Sequence, residues 1–187
     1  MLTGHQPASR HESLMPVSTE DFTADCAHCA ALCCLAFAFD RSDEFGHDKP
    51  ANHPCHFLDR GFGCSIHTDL GRKGYAGCIR FDCHGAGQRV VQNLFGGRDW
   101  KSEPALLAPM ADAFRSMRRL HELLMMLDAA GDLGLDDKAE DLRLSLTASL
   151  RPDPDWTAQS LAAFDIDAAD AAVSGFLKSL AMRMASP

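Results

Sequence analysis

The sequence predicts a mainly α protein in which an irregular, cysteine-rich metal- or cluster-binding module packs on a C-terminal helical bundle. Three observations carry that expectation. All eight cysteines of the 187-residue chain fall between Cys26 and Cys83. The stretch between them is broken by Gly46, Pro50, Pro54, Gly61, Gly63, Gly71, Gly74 and Gly77, which leaves little apolar material for a conventional core. From Glu103 the texture changes to Ala- and Leu-rich sequence with apolar residues at three- and four-residue steps. The length suits one domain, or one compact domain with a helical extension. Three segments are expected: a flexible N-terminal tail over 1–20, a cysteine-rich module over 21–97 and a helical region over 98–187.

Taken in order, residues 1–20 are polar, with Pro7 and Pro16, and read as a tail in which His5 and His11 are solvated. Thr23 or Asp25 starts a turn, and Cys26-x2-Cys29 has the tight spacing of a metal knuckle. Phe37 and Phe39 alternate with small residues, as a short strand or as cover for the site. Residues 40–54 form a long loop that needs something to pin it, and Cys55 is placed to do so. Gly85-Ala-Gly87 lacks the third glycine and the preceding strand of a phosphate loop, and reads as a turn beside Cys83. Residues 88–95 read as a short helix or strand closed by Gly96 and Gly97.

Leu106, Leu107, Met110, Phe114, Met117, Leu120, Leu124 and Leu127 define one face of a long helix. It begins near Ala108, or kinks there at Pro109, and stops near Gly131. The run Arg115-Ser-Met-Arg118-Arg119 reads as the solvated face of that helix, and His121 as a surface or satisfied core histidine. A second helix is expected over 135–150, with Ala139, Leu142, Leu146 and Leu150 inward. Arg151-Pro-Asp-Pro-Asp155 is a break with an N-cap at its end. A short helix over 156–163 and a final helix over 167–184 follow, the last with Val173, Phe176, Leu177, Leu180 and Met184 inward.

A net charge of −8 argues against a nucleic-acid partner or an anionic membrane surface, since both need clustered Lys and Arg. No apolar core of signal-peptide length is found in the first twenty residues, and no window reaches the apolar length of a membrane span. These features predict a cytoplasmic protein, where dense cysteines bind metal or carry redox chemistry rather than form structural disulfides. Cys33 and Cys34 are adjacent, so their side chains diverge on a helix and take opposite faces on a strand. The pair therefore serves two different centres, or one sulfur ligates while the other packs.

The run Cys26-x2-Cys29-x3-Cys33-Cys34, followed by four more cysteines, resembles the bacterial CxxCxxCC family of zinc- or iron-chelating domains. That family includes proteins of unknown function and a domain associated with flagellin lysine methylation. The resemblance implies that Cys26, Cys29, Cys33, Cys34, Cys55, Cys64, Cys78 and Cys83 are, or contain, the metal ligands of this chain. One departure is visible: three residues separate Cys29 from Cys33, where the family name implies two. The blocks Asp48-Lys-Pro with Pro54-Cys55, Cys64-Ser-Ile-His67, and Gly77-Cys78-x4-Cys83-x-Gly-Ala-Gly are also similar to the cysteine-rich N-terminal part of certain bacterial pentapeptide-repeat proteins. The pentapeptide repeats themselves are absent from this chain.

Eight cysteines allow two four-thiolate sites, or one site with spare thiols. A zinc ribbon has two Cys-x2-Cys knuckles, whereas this chain has one, followed after Cys34 by gaps of 20, 8, 13 and 4 residues. Such irregular gaps favour an iron–sulfur cluster held by loops, with zinc as the alternative. His28, His56, His67 and His84 could replace a thiolate, but donation of N–H bonds to sulfur is the more ordinary role. The expected function is a redox, electron-transfer or accessory module whose helical region docks a protein partner. The alternative is an enzyme or redox sensor using the cluster or a free thiolate, or a purely structural zinc protein. The crowding of the thiols argues against an isolated cysteine nucleophile. The triple Cys26, Cys29, Cys33 does not have the radical-SAM spacing.

Overall fold

A computed structural model describes residues 22–185; the expected tail over 1–20, with His5 and His11, lies outside them. Seven α-helices occur among the described residues: α1 (Leu32–Ala36), α2 (Ala76–Arg80), α3 (Ala86–Gln88), α4 (Leu107–Gly131), α5 (Asp137–Leu150), α6 (Ala158–Ala162) and α7 (Ile166–Met184). Single 3₁₀ turns lie at Cys26–His28, His67–Asp69 and Pro104–Leu106. Among the described residues there is no β-strand, only two isolated bridges, Phe39 with Lys49 and Leu58 with Cys64. The mainly α class is as the sequence predicts.

The 25-residue α4 is the axis of the fold. It packs against α1 and α3 on the cysteine side and against α5, α6 and α7 on the other. Pro109 is its third residue, where no intrahelical N–H is needed, so the helix starts at Leu107 directly after the Pro104–Leu106 turn. Met110, Phe114, Met117, Leu120, Leu124 and Leu127 are buried as the periodicity predicts. Ala111, Ala113 and Leu123 are buried as well, because α4 is covered from two sides and one stripe does not suffice.

Two inward assignments are corrected. Leu142 is 48% exposed, because the inward position between Ala139 and Thr147 is taken by Arg143. Arg143 pairs with Glu140 and donates to the Leu127 carbonyl at 3.2 Å, near the C-terminal end of α4. Met184 is 68% exposed, since it lies one turn beyond Leu180, the last α7 residue in the core. The N-cap of α6 is also corrected. Thr157 accepts from Ser160 N in a capping box, while Asp155 pairs with Arg89 instead.

Residues 88–95 resolve to helix. α3 continues as a π turn over Arg89–Leu94, with Phe95 N bonded to Val90 O at 3.1 Å and Gly97 N to Val91 O at 2.8 Å. Gly85 opens α3 at φ 73°, and Gly96 and Gly97 close the π turn at φ 62° and 78°.

The basic run is not a solvated face. Arg115 donates to Ala36 O at 2.8 Å and Asn52 Oδ1 at 2.9 Å, and pairs with Asp112. Arg118 donates to Asp82 O at 3.0 Å and lies over the rings of Phe81 and Phe37. Arg119 holds Asp170 of α7 at 2.6 Å. Two of these arginines therefore clamp the cysteine-rich layer to α4, and the third clamps α7.

Only Lys49 and Tyr75 are buried among residues 40–80, in accord with the expected lack of a core there. The cysteine-rich layer is anchored at its edges instead. Leu32 and Leu35 of α1 are fully buried on α4, worth ~1.5–3 kcal/mol each. Phe37 meets Phe114 at 5.7 Å and Phe81 at 5.5 Å, so it packs against the core on α4, while Phe39 makes the bridge to Lys49. Trp100 is buried and donates its Nε1–H to Ala30 O at 2.9 Å.

Candidate functional site

The turn at Cys26–His28 is capped by Asp25, whose side chain accepts from Ala27 N at 3.0 Å. The chain then passes through Ala30 and Ala31 at φ 46° and 50°, two consecutive left-handed residues. Those two residues reverse the backbone inside the three-residue gap between Cys29 and Cys33 and start α1 at Leu32. In α1 neighbouring side chains diverge by ~100° around the axis. Leu32 and Leu35 point into the core, and Cys33 and Cys34 lie on the opposite side with sulfurs 3.9 Å apart.

The later cysteines return to α1 from two directions. Cys55 N donates to Cys34 O at 3.0 Å, Leu58 N donates to Cys55 O at 3.0 Å, and Leu58 bridges Cys64. Cys78 lies in α2, whose Gly77 N donates to Glu44 O at 3.2 Å. Cys83 accepts from Ala86 N at 3.0 Å and so sits at the entrance of α3. Gly87 of α3 lies against Cys29 so closely that an added Cβ would stand 2.7 Å from the Cys29 Cβ. All eight cysteines are free thiols. Among the described residues, no group of three or more His, Cys, Asp and Glu side chains is already arranged as a metal site.

The electrostatics differ from sulfur to sulfur. Burial pushes Cys29 up to about 11, with the charges of Cys26 and Cys83 adding to the rise. Burial likewise raises Cys78 to about 11, with Cys34, Cys55 and Cys64 as its charged neighbours. Burial also raises Cys26 and Cys55. Cys34 moves the other way, to about 7, because Cys33 donates an S–H bond to its thiolate and the Lys49 ammonium adds attraction. Cys33, as that donor, is held well above the usual thiol value.

Lys49 enters the sequence reading only within the Asp48-Lys-Pro block, with no role of its own, yet it is 4% exposed. Its Nζ donates to Leu35 O at 3.1 Å and Pro50 O at 3.3 Å, and to Phe37 O. It pins the 40–54 loop under the C-terminal end of α1, beside Cys33, Cys34 and Cys55. The expected pin, Cys55, adds a backbone bond. The Asp48-Lys-Pro block quoted above contains this lysine, but nothing in that pattern says that its side chain is buried.

The histidines near cysteines are placed as follows. His28 pairs with Asp25 at 2.6 Å. His56 packs in a ring cluster, 4.1 Å from His47 and 4.0 Å from Phe57, while His47 bonds the buried Tyr75 hydroxyl at 2.7 Å. The His67 side chain is exposed, and its backbone N–H donates to Cys64 O at 3.1 Å. His84 offers its carbonyl to His121, which is buried at the edge of Phe22. His121 is thus a core histidine with a partner.

No family model matches the chain. A stretch of 110 residues is 44% identical to the uncharacterized protein YybG of Bacillus subtilis (strain 168), covering 59% of this chain. That stretch spans 39% of the relative's own length. No solved structure matches. No helix among the described residues is long and apolar enough to cross a membrane.

Proposed function

We propose that this protein binds metal through its cysteine layer, as an iron–sulfur or zinc protein acting as a redox, electron-transfer or accessory module. The observation that carries the reading is eight free thiols confined to a layer between residues 26 and 83, in which only Lys49 and Tyr75 are buried between residues 40 and 80. Such a layer lacks the apolar burial that normally orders a chain, and a thiolate-bound metal supplies that cohesion. The donor chemistry fits, since soft thiolates suit zinc and iron–sulfur clusters alike. An iron–sulfur cluster supplies one-electron transfer when bound, and zinc supplies cohesion only. Lys49 places a buried positive charge where bound thiolates would concentrate negative charge. The likeness to the CxxCxxCC domains points the same way.

A protein partner docking on the helical half belongs to this reading, supported by the exposed Leu133, Met182 and Met184. A cytoplasmic setting, which keeps thiols reduced, belongs to it also. A second reading, a redox sensor or enzyme using a free thiolate, rests on Cys34, held near 7 by Cys33 and Lys49.

Anaerobic purification with elemental analysis and a visible spectrum tests the proposal. A brown protein with iron and acid-labile sulfide selects the cluster, and a colourless one with stoichiometric zinc selects the structural metal. A protein that carries neither metal, whose cysteines are found as disulfides, overturns it. With metal present, a reversible redox couple selects electron transfer or sensing, and its absence selects a structural role.

A further inference from the structure

We infer that the eight thiols form two separate four-thiolate metal centres, Cys26, Cys29, Cys33 and Cys83 in one and Cys34, Cys55, Cys64 and Cys78 in the other, divided by α1 between its adjacent cysteines. The inference rests on the metal-binding reading above and adds the number of centres and the membership of each.

The first set is assembled by α3. Gln88 ties the Cys26–His28 turn to that helix, donating to Thr23 O at 2.7 Å and accepting from Asp25 N at 3.1 Å. Gln92, in the π turn, donates to His28 O at 3.2 Å. Cys29 is pressed against Gly87, with its sulfur 3.4 Å from Cys26 O. Cys83 stands at the start of the same helix. Within the set, Cys83 acts on Cys26, Cys26 and Cys83 on Cys29, and Cys29 and Cys83 on Cys33; from outside it, Cys34 acts most strongly on Cys33, and Cys34, Asp25 and Asp82 act on Cys26.

The second set is assembled by the loops after Cys34. The bonds from Cys55 N to Cys34 O and from Leu58 N to Cys55 O, with the Leu58–Cys64 bridge, bring three of its members together. The fourth, Cys78, is carried in by α2, which is seated by the Phe45 ring against Gly77 and by Gly77 N on Glu44 O. Again the charges come mainly from within: Cys34 and Cys64 on Cys55, and Cys34, Cys55 and Cys64 on Cys78.

The two sets meet at Cys33 and Cys34, whose sulfurs are 3.9 Å apart, and Cys34 also acts on Cys26. Adjacent residues on a helix leave its axis ~100° apart, so each sulfur can close a different tetrahedron while neither easily closes both. Four thiolates complete one zinc site or one [4Fe–4S] cluster, so no sulfur is left over and none need be shared. The surroundings differ in charge: Lys49 lies beside Cys34 and Cys55, whereas Asp25 and Asp82 face Cys26.

The test is cysteine footprinting on the full chain, purified without oxygen, with alkylation read site by site by mass spectrometry. In the loaded protein all eight cysteines are expected to be protected. Cys64→Ser is expected to halve the bound metal and expose Cys34, Cys55 and Cys78 while Cys26, Cys29, Cys33 and Cys83 stay protected. Cys83→Ser is expected to give the complementary pattern. Stepwise chelation of the wild-type protein should expose the same two blocks, which decides the matter without a substitution if either variant unfolds. Loss of all metal and all protection together, in the variants and on chelation, means a single centre and overturns the inference. So does labelling of Cys33 with the second block. A protein with no metal and eight reactive thiols at the outset overturns the underlying metal reading instead.

Discussion

Replacing Lys49 with Met tests the buried ammonium directly. Methionine matches the length and volume of the lysine stem, so the change removes the charge and its three donors while leaving the packing. The carbonyls of Leu35, Phe37 and Pro50 then lose their partner. A buried acceptor left unmade costs ~1–3 kcal/mol, and the lower end applies because Met regains some transfer free energy, giving about 3 kcal/mol in all. For a domain of this size ~1 kcal/mol moves the melting temperature by ~2–4 °C, so Lys49→Met should melt ~6–12 °C below the wild type. Thermal unfolding followed by circular dichroism in reducing buffer measures this. The same variant removes the attraction that helps hold Cys34 at about 7, so its alkylation midpoint should move upward. A melting temperature within ~2 °C of wild type, with an unmoved Cys34 midpoint, would refute the assignment of Lys49 as pin and counter-charge.

Four further outcomes are expected. In the metal-free protein the alkylation rate of Cys34 should rise through about pH 7, and those of Cys29 and Cys78 only near 11; equal midpoints for the three remove the electrostatic argument. The sign follows: the lowered Cys34 contributes stability that is full above the ordinary thiol value of 9.0 and is lost as pH falls through about 7, so Cys34→Ala should flatten that part of a stability–pH curve. Gly87→Ala puts a methyl 2.7 Å from the Cys29 Cβ, and overpacking of ~1–3 kcal/mol should outweigh the helix gain of ~1 kcal/mol, lowering the midpoint of denaturant unfolding. Trp100→Phe leaves the Ala30 carbonyl without its donor and should cost ~1–3 kcal/mol, with urea unfolding as the measure.

The helical half was legible because its period follows from geometry that every residue shares. Met110 through Leu127 repeat at helical spacing, and burial follows the pattern. The pattern misled where a polar side chain displaced an apolar one. Arg143 takes an inward position because its stem is apolar and its head can reach the Leu127 carbonyl, so Leu142 turns outward. Arg115 and Arg118 misled in the same way. Nothing local says that the Ala36 and Asp82 carbonyls and the Phe81 ring will arrive to meet them from the cysteine layer. At the site, the expectation that Cys33 and Cys34 diverge is corrected: their Cα–Cβ bonds leave the axis ~100° apart, yet the sulfurs meet at 3.9 Å on the side of α1 away from Leu32 and Leu35. The partners of each sulfur were not legible, because they return across gaps of 20 and 13 residues whose paths are set by long-range bonds such as Cys55 N to Cys34 O. Lys49 was hidden for a similar reason: its burial depends on carbonyls at the far end of a helix it does not belong to.

α1 has only five residues, and it presents Leu32 and Leu35 to the long helix and Cys33 and Cys34 to the thiols. A segment this short cannot move one side without the other. A shift of the sulfurs is therefore also a repacking of two leucines on α4, and close-packed interiors change by discrete steps rather than by continuous give. If the thiols hold a metal, as proposed above, any ligand of the helical half that prefers one of those packings would change their affinity for it, and the metal would change the affinity for that ligand by the same factor. The adjacent cysteines would thus make the proposed coordination site and the proposed docking surface thermodynamically answerable to one another through a single helical turn.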